Sequence, residues 1–305
     1  KKEYESVSDA VTDVNMSGFG VVTPVRSAIE LEEPVVIKNG NKYGVKIKAK
    51  VPSVNMLKTQ INVEIAPIVG TKNQAEDLIN YIKDNTKDNE NKTIEEHIHD
   101  IVEVLDYAKK LNMQVNLYLE DWSSGMKDSP EYVFKLIDAL HHQNICRFLL
   151  PDTLGILSPT QTMDYISQVV ERYPDIHFDF HAHNDYDMAV ANSLAAVKAG
   201  VDGLHVTVNG LGERCGNAPL SSVHVVLKDM YDFSTNIDET SLVYITHLVE
   251  GYSGIAVAPN TPIVGENVFT QVAGVHADGD NKDKLYCNDL VPERFGRHRE
   301  YALGK

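Results

Sequence analysis

Cysteine is scarce in this 305-residue chain. Cys146, Cys215 and Cys287 lie far apart with no CxxC spacing, which excludes a disulfide framework or zinc knuckle and predicts a reduced, intracellular protein. Basic residues are also in deficit: 28 Lys and Arg stand against 44 Asp and Glu, a formal net charge of -16. A nucleic-acid partner is not expected, because a phosphate backbone is held by basic surface; a small anion needs only a local positive site. No apolar run approaches the roughly 18 residues that span a bilayer, so no transmembrane segment is expected, and the opening KKEYESVSDA has no signal-peptide core. These absences predict a soluble, cytoplasmic protein. The length suffices for a large core, in one barrel-sized domain or two smaller ones.

From about Val115 onward one unit repeats: a short apolar run, a polar tip, then a helical pattern. The runs VNLYLE, ICRFLLPD, HFDFHAHND and GLHVTVNG begin about 26 to 32 residues apart, the length of a βα unit, and predict parallel strands. Ser129-Pro130 and Ser158-Pro159 each place a capping serine before a proline at the first helical position. Val133, Leu136, Ile137 and Leu140 follow helical spacing, as do Ala189, Leu194, Ala195 and Val197 less strictly. Polar residues gather just past each strand: Glu120 and Asp121, Asp152 and Thr153, His181 to Asp185, Asn209 to Asn217. Catalytic groups of a (β/α)₈ barrel occupy that position. Only four units are present, so the fold class is α/β, a partial TIM barrel.

Within HFDFHAHNDYD, His181 and His183 stand two apart and leave a strand on one face. Neutral imidazoles suit Zn, Mn or Fe, and added oxygen ligands favour Mg or Mn; the other reading is two histidines hydrogen-bonded in a loop. In VNGLGERCGNAPL the close glycines let the backbone turn sharply near a ligand and Asn217 offers a carbonyl oxygen, or the loop is a tight turn before a helix. Arg214 and Glu213 read as a structural ion pair.

Residues before about 85 differ in texture. Alternating runs within residues 32–70, with a turn at NGN, suggest an antiparallel sheet, and residues 71–85 an amphipathic helix with Ala75, Leu78, Ile79 and Ile82 on one face. The charged run KDNTKDNENKT reads as a linker. The expected organisation is an α+β segment over 1–85, a linker over 86–94, a half barrel over 95–235 and a following subdomain over 236–305.

YLEDWSSGMKDSPEYVF, LPDTLGILSP, the long run from Phe178 through Leu220, and FTQVAGVHADGDNKDKLYCNDLVPERFGR together resemble the 2-isopropylmalate, citramalate and homocitrate synthase family. The resemblance runs from about Thr93 to Lys305. It implies an acyltransferase barrel in which a divalent metal (Mg, Mn or Zn) chelates a 2-oxo acid and acetyl-CoA, deprotonated at its methyl, attacks the keto carbon before the thioester is hydrolysed. By the same resemblance His181 and His183 are metal ligands, Asn217 is a ligand or close neighbour, Glu120 is a carboxylate at the oxo-acid site, and Thr153 contacts the substrate carboxylate. His276 and Tyr286 match subdomain groups assisting deprotonation or hydrolysis.

The family's motif close to TTLRDGEQ, which brings a catalytic Arg and an anionic metal ligand, occurs nowhere in these residues. Impaired condensation is therefore expected, and feedback regulation of the usual kind is not. A half barrel also predicts two open parallel strand edges, a route to pairing with another copy as a homo-oligomer. Residues 1 to about 90 resemble the later part of stage IV sporulation protein A, a spore-coat scaffold, without its P-loop. That resemblance implies spore-coat partners through this segment and an alternative identity as a structural fragment with an inert barrel remnant. A lyase of the same barrel superfamily is a further alternative.

Overall fold

In the computed structural model the described residues are three strands before residue 68, isolated positions between 73 and 81, and residues 93–302 except 284. The apolar stripe expected at Ala75, Leu78, Ile79 and Ile82 and most of the charged run after it lie outside the described residues. The described chain divides into two compact units, one running to His205 with Glu213–Cys215, the other formed by Val206–Gly212 and the residues from Gly216 onward.

One sheet organises the first unit. Its strands β1 (Val35–Asn39), β2 (Lys42–Ala49), β3 (Asn62–Pro67), β4 (Val115–Glu120), β5 (Ile145–Asp152), β6 (Phe178–Ala182) and β7 (Gly203–His205) lie side by side in chain order. Pairing is antiparallel from β1 to β4 and parallel from β4 to β7. The change follows from the connections: a helix must carry the chain back between parallel neighbours. Helices α2 (Trp122–Asp128) and α3 (Pro130–Leu140) join β4 to β5, α4 (Pro159–Arg172) joins β5 to β6, and α5 (Ala189–Ala199) joins β6 to β7; α1 (Ile94–Lys110) leads into β4.

On β4, Val115, Leu117 and Leu119 are buried and alternate with half-buried residues, the two-residue period of a strand. Val133, Leu136, Ile137 and Leu140 form the buried stripe of α3 as the spacing predicts. On α5 the buried set is instead Ala189, Asn192, Ser193, Ala195 and Ala196, with Leu194 and Val197 only half-buried. Small residues let this helix approach closely, and Asn192 Nδ2 donates to Leu157 O at 2.8 Å. Trp122, Phe148, Phe178 and Phe180 are fully buried, each worth about 1.5–3 kcal/mol of transfer free energy.

The two serine caps diverge. Ser158 accepts from Gln161 N and forms a reciprocal capping box with it, whereas Ser129 makes no side-chain cap bond. The expectation of two open parallel edges also fails on one side. The free edge of β4 is occupied by β3, in register from Asn62 opposite Glu120 to Pro67 opposite Val115. At the other end of the sheet, β7 has β6 as its strand partner among the described residues.

The second unit is built from α6 (Leu220–Tyr231), α7 (Leu242–Ser253), α8 (Gly274–Asp283) and a short parallel pair, β8 (Thr270–Gln271) with β9 (Glu300–Tyr301). Val225, Leu242, Ile263, Val264, Phe269 and Phe295 make its core, where the Phe269 and Phe295 rings stack at 5.7 Å. No described helix is long and apolar enough to cross a membrane.

Candidate active site at the strand ends

Strand β6 carries Asp179 and His181 on alternate positions, and His183 follows directly. Both histidines are buried, and their rings meet nearly perpendicular with centroids 5.0 Å apart. His181 also faces the rings of His205 at 6.0 Å and Tyr118 at 6.4 Å. Beneath them the carboxylate of Asp179 contacts Arg147 Nη1 at 2.9 Å, His177 Nε2 at 2.7 Å and His205 Nε2 at 3.3 Å. Burial alone would raise this carboxyl, but the hydrogen bonds from His205, Arg147 and His177 outweigh it and hold it well below the usual carboxylate range. A carboxylate only accepts, so His205 Nε2–H donates to it, and His205 Nδ1 shares a hydrogen bond with the Tyr118 hydroxyl, 2.5 Å away. Burial, with Glu120 and Asp179 nearby, pushes the Tyr118 phenol far up, keeping it a donor.

The loops beyond the strands interlock. Glu120 ends β4 half-buried. Asp121 then takes a left-handed backbone, φ 58°, and its N–H donates to Thr153 Oγ1 at 2.9 Å. Burial pushes the Asp121 carboxyl up to about 6, although Ser124 donates to Oδ1 at 2.8 Å. Asp152 is fully buried, and its two carboxylate oxygens accept from Ile156 N at 3.0 Å and Leu157 N at 3.1 Å. It thus organises the loop after β5. Arg214 forks onto Asp185, Nε to Oδ1 at 2.7 Å and Nη2 to Oδ2 at 2.9 Å, and also donates to Thr153 O at 2.7 Å. The Arg214–Glu213 contact expected from sequence exists at 3.3 Å and is the longest of the set.

In the second unit Asn217 is buried, donates to Leu211 O at 3.1 Å, and has an Oδ1 with no hydrogen-bond partner. Glycine is required beside it: a Cβ on Gly212 would stand 2.5 Å from Asn217 Nδ2. His276 and Tyr286 are exposed and form a ring pair at 4.5 Å. Gly279 lies flush under this tyrosine, since a Cβ there would approach Tyr286 Cε2 to 2.6 Å. Asp280 accepts from Tyr286 N at 3.3 Å and from Arg299 Nη1 at 3.0 Å.

Of the residues singled out in the sequence, His181 meets His183, Thr153 meets the residue after Glu120, and His276 meets Tyr286. Sequence reasoning missed Tyr118, Arg147, Asp179 and His205, although Tyr118 and Asp179 stand two positions from Glu120 and His181, the spacing that shares a face. As a metal centre the donor set is incomplete. Two adjoining imidazoles suit a divalent cation, but no group of three or more His, Cys, Asp or Glu able to hold a metal occurs among the described residues. The anionic ligand that would balance the ion's charge is not with them.

Comparison with known proteins bears on the family and the fold. The HMGL-like family profile matches residues 51–249, and the profile of the stage IV sporulation protein A middle domain matches residues 1–70. A homocitrate synthase of Sulfolobus acidocaldarius is 41% identical over 214 residues, covering 70% of this chain and 45% of that protein. A probable 2-isopropylmalate synthase of Methanopyrus kandleri is 39% identical over 211 residues, covering 69% and 42%. The chain thus spans less than half the length of these relatives. Among solved structures, the HMG-CoA lyase of Bacillus subtilis superposes with a TM-score of 0.50 at 25% identity, covering 58% of this chain and 61% of the lyase. The hydroxymethylglutaryl-CoA lyase of Pseudomonas aeruginosa gives 0.50 at 21%, covering 61% and 62%, a likeness of fold alone. With four parallel βα units of a TIM barrel and a family profile matched over most of its length, the chain belongs to the HMGL-like family.

Proposed function

We propose that this chain carries the second half of an acyltransferase site of the homocitrate, citramalate and 2-isopropylmalate synthase kind, which condenses acetyl-CoA with a 2-oxo acid, and that these 305 residues alone are impaired in that reaction. The observation that carries the reading is the pairing of His181 with His183 at the strand ends, their rings 5.0 Å apart, in a chain 41% identical to a homocitrate synthase over 214 residues. In this reading His181 and His183 are the nitrogen ligands of a divalent metal (Mg, Mn or Zn), with Asn217 a ligand or close neighbour. The metal, when bound, polarises the keto group. Thr153 donates its hydroxyl to the substrate carboxylate, which only accepts, while its oxygen accepts from the Asp121 N–H. Glu120 lines the oxo-acid site, and His276 with Tyr286 serves proton transfer at the methyl group or thioester, a task to which an imidazole is chemically suited. Impairment follows from the missing Arg and anionic ligand. The protein acts in the cytoplasm as a homo-oligomer, and the junction between its two ancestries lies at residues 86–94.

The test is CoA release from acetyl-CoA with several 2-oxo acids, together with elemental analysis of the purified chain. Weak turnover abolished by His181→Ala and His183→Ala supports the site. Turnover that survives both substitutions overturns the site, and turnover equal to an intact synthase overturns the impairment. The match of residues 1–70 to the sporulation profile favours a second reading, a spore-coat assembly segment with an inert barrel remnant, expected to bind coat proteins and retain no metal. Likeness to a lyase structure supports a third, carbon–carbon cleavage, which product analysis separates from condensation. Long-read sequencing of source DNA and transcript across residues 75–100 separates a natural fusion from a joined reading frame.

A further inference from the structure

Thr153 and His183 stand on different loops, and one side chain reaches both loops. The guanidinium of Arg214 forks onto Asp185, two residues past His183, and donates to the backbone carbonyl of Thr153 at 2.7 Å. Its backbone is held at φ 54°, a left-handed conformation that non-glycine residues seldom keep without support. Glycine at position 155 leaves room for the Asp185 carboxylate beside it. Gly155, at φ +61°, is packed so closely that a Cβ there would lie 2.9 Å from Asp185 Oδ2 and 3.0 Å from His183 O. The two loops meet again at Asp152, whose carbonyl accepts from Gly155 N at 3.1 Å and His183 N at 3.3 Å.

As a source of stability this arrangement counts for little. Arg214 is 36% exposed and Asp185 19%, and ion pairs open to water contribute weakly. What a planar fork supplies is direction: several donors at fixed angles, which an ammonium cannot reproduce. We infer that Arg214 is a positioning residue that fastens the loop after β5 to the loop after β6, and so fixes the Thr153 hydroxyl relative to the His183 imidazole. That these groups serve an active site rests on the synthase reading above; the fastening itself does not.

Hydrogen exchange on the full chain tests the fastening, comparing wild type with Arg214→Ala, Arg214→Lys and Asp185→Asn. The expected result is exchange about tenfold faster at the amides of Gly155 and His183 in all three variants, the ratio of one lost charge-assisted hydrogen bond. Protection in α3 and the thermal midpoint should stay as in wild type, and the His183 ring resonance should move even in Arg214→Lys, which keeps the charge. Exchange within about twofold of wild type at both loops overturns the inference. So does loss of α3 protection in every variant, which would make Arg214 a general structural residue. Titrating wild type with pyruvate while following the His183 ring separates the two claims: no response overturns the oxo-acid site and leaves the fastening as measured.

Discussion

Two buried carboxylates, one in each unit, are neutralised in opposite ways. Asp179 draws its partners from the sheet: Arg147 is on the neighbouring strand on one side, His205 on the neighbouring strand on the other, and His177 just before its own. Pairing in register, Leu149 opposite Asp179 and Asp179 opposite Gly203, brings up the two partners from the flanking strands. Glu239 instead gathers groups from along the chain. His224 and Lys228 come from one face of α6, at 3.3 and 2.9 Å, and Arg294, 55 residues away, forks onto it at 2.6 and 3.0 Å. In the first unit the charge cluster is a by-product of strand order. In the second it is a tether that draws the C-terminal segment onto the helices.

Removing Arg294 should therefore do the most damage. Arg294→Ala leaves Glu239 buried with only part of its compensation and is expected to cost about 3 kcal/mol, read as a lowered urea midpoint. Next comes an attack on the first cluster through its floor. A Cβ on Gly203 would stand 2.3 Å from Asp179 Oδ1, so Gly203→Ala should push the carboxylate off its partners at a cost of about 2 kcal/mol. Acid should attack both clusters without mutation. The hydrogen bond from Arg294 holds the Glu239 carboxyl down at about 2, against an ordinary 4.5. Its stabilisation is present above 4.5 and disappears as pH falls through about 2. The Asp179 carboxyl is likewise held below the usual carboxylate range, so near-ultraviolet signals of both units should persist at pH 4.5 and fade in stronger acid. The smallest effect is expected for Arg147→Ala, about 1 kcal/mol, because Arg147 is 39% exposed and His177 and His205 remain on Asp179. A larger loss there than for Arg294→Ala would reverse the comparison.

The parallel half of this architecture was legible because each βα unit writes its own period into the chain. β4 and β5 coincide with the runs VNLYLE and ICRFLLPD, and the stripe of α3 is the predicted one. Contacts set by tertiary placement were not legible. Arg214 has Glu213 beside it in sequence, yet its principal partner is Asp185, 29 residues earlier. Ser129 precedes a proline as Ser158 does, but its backbone leaves it without a cap bond. The site was half visible. The HxH spacing announced His181 and His183, while the Asp179 cluster was passed over because a buried carboxylate among aromatic residues looks, in one dimension, like an interruption of the strand.

The strand lying along β4 has a consequence of proximity. β3 ends at Pro67 and β4 begins at Val115 on the same chain, so β3 meets that edge as a tethered partner whose effective concentration does not fall on dilution. Another copy of the chain would have to compete from solution. A strand tethered near an exposed edge thus acts as a built-in competitor for it.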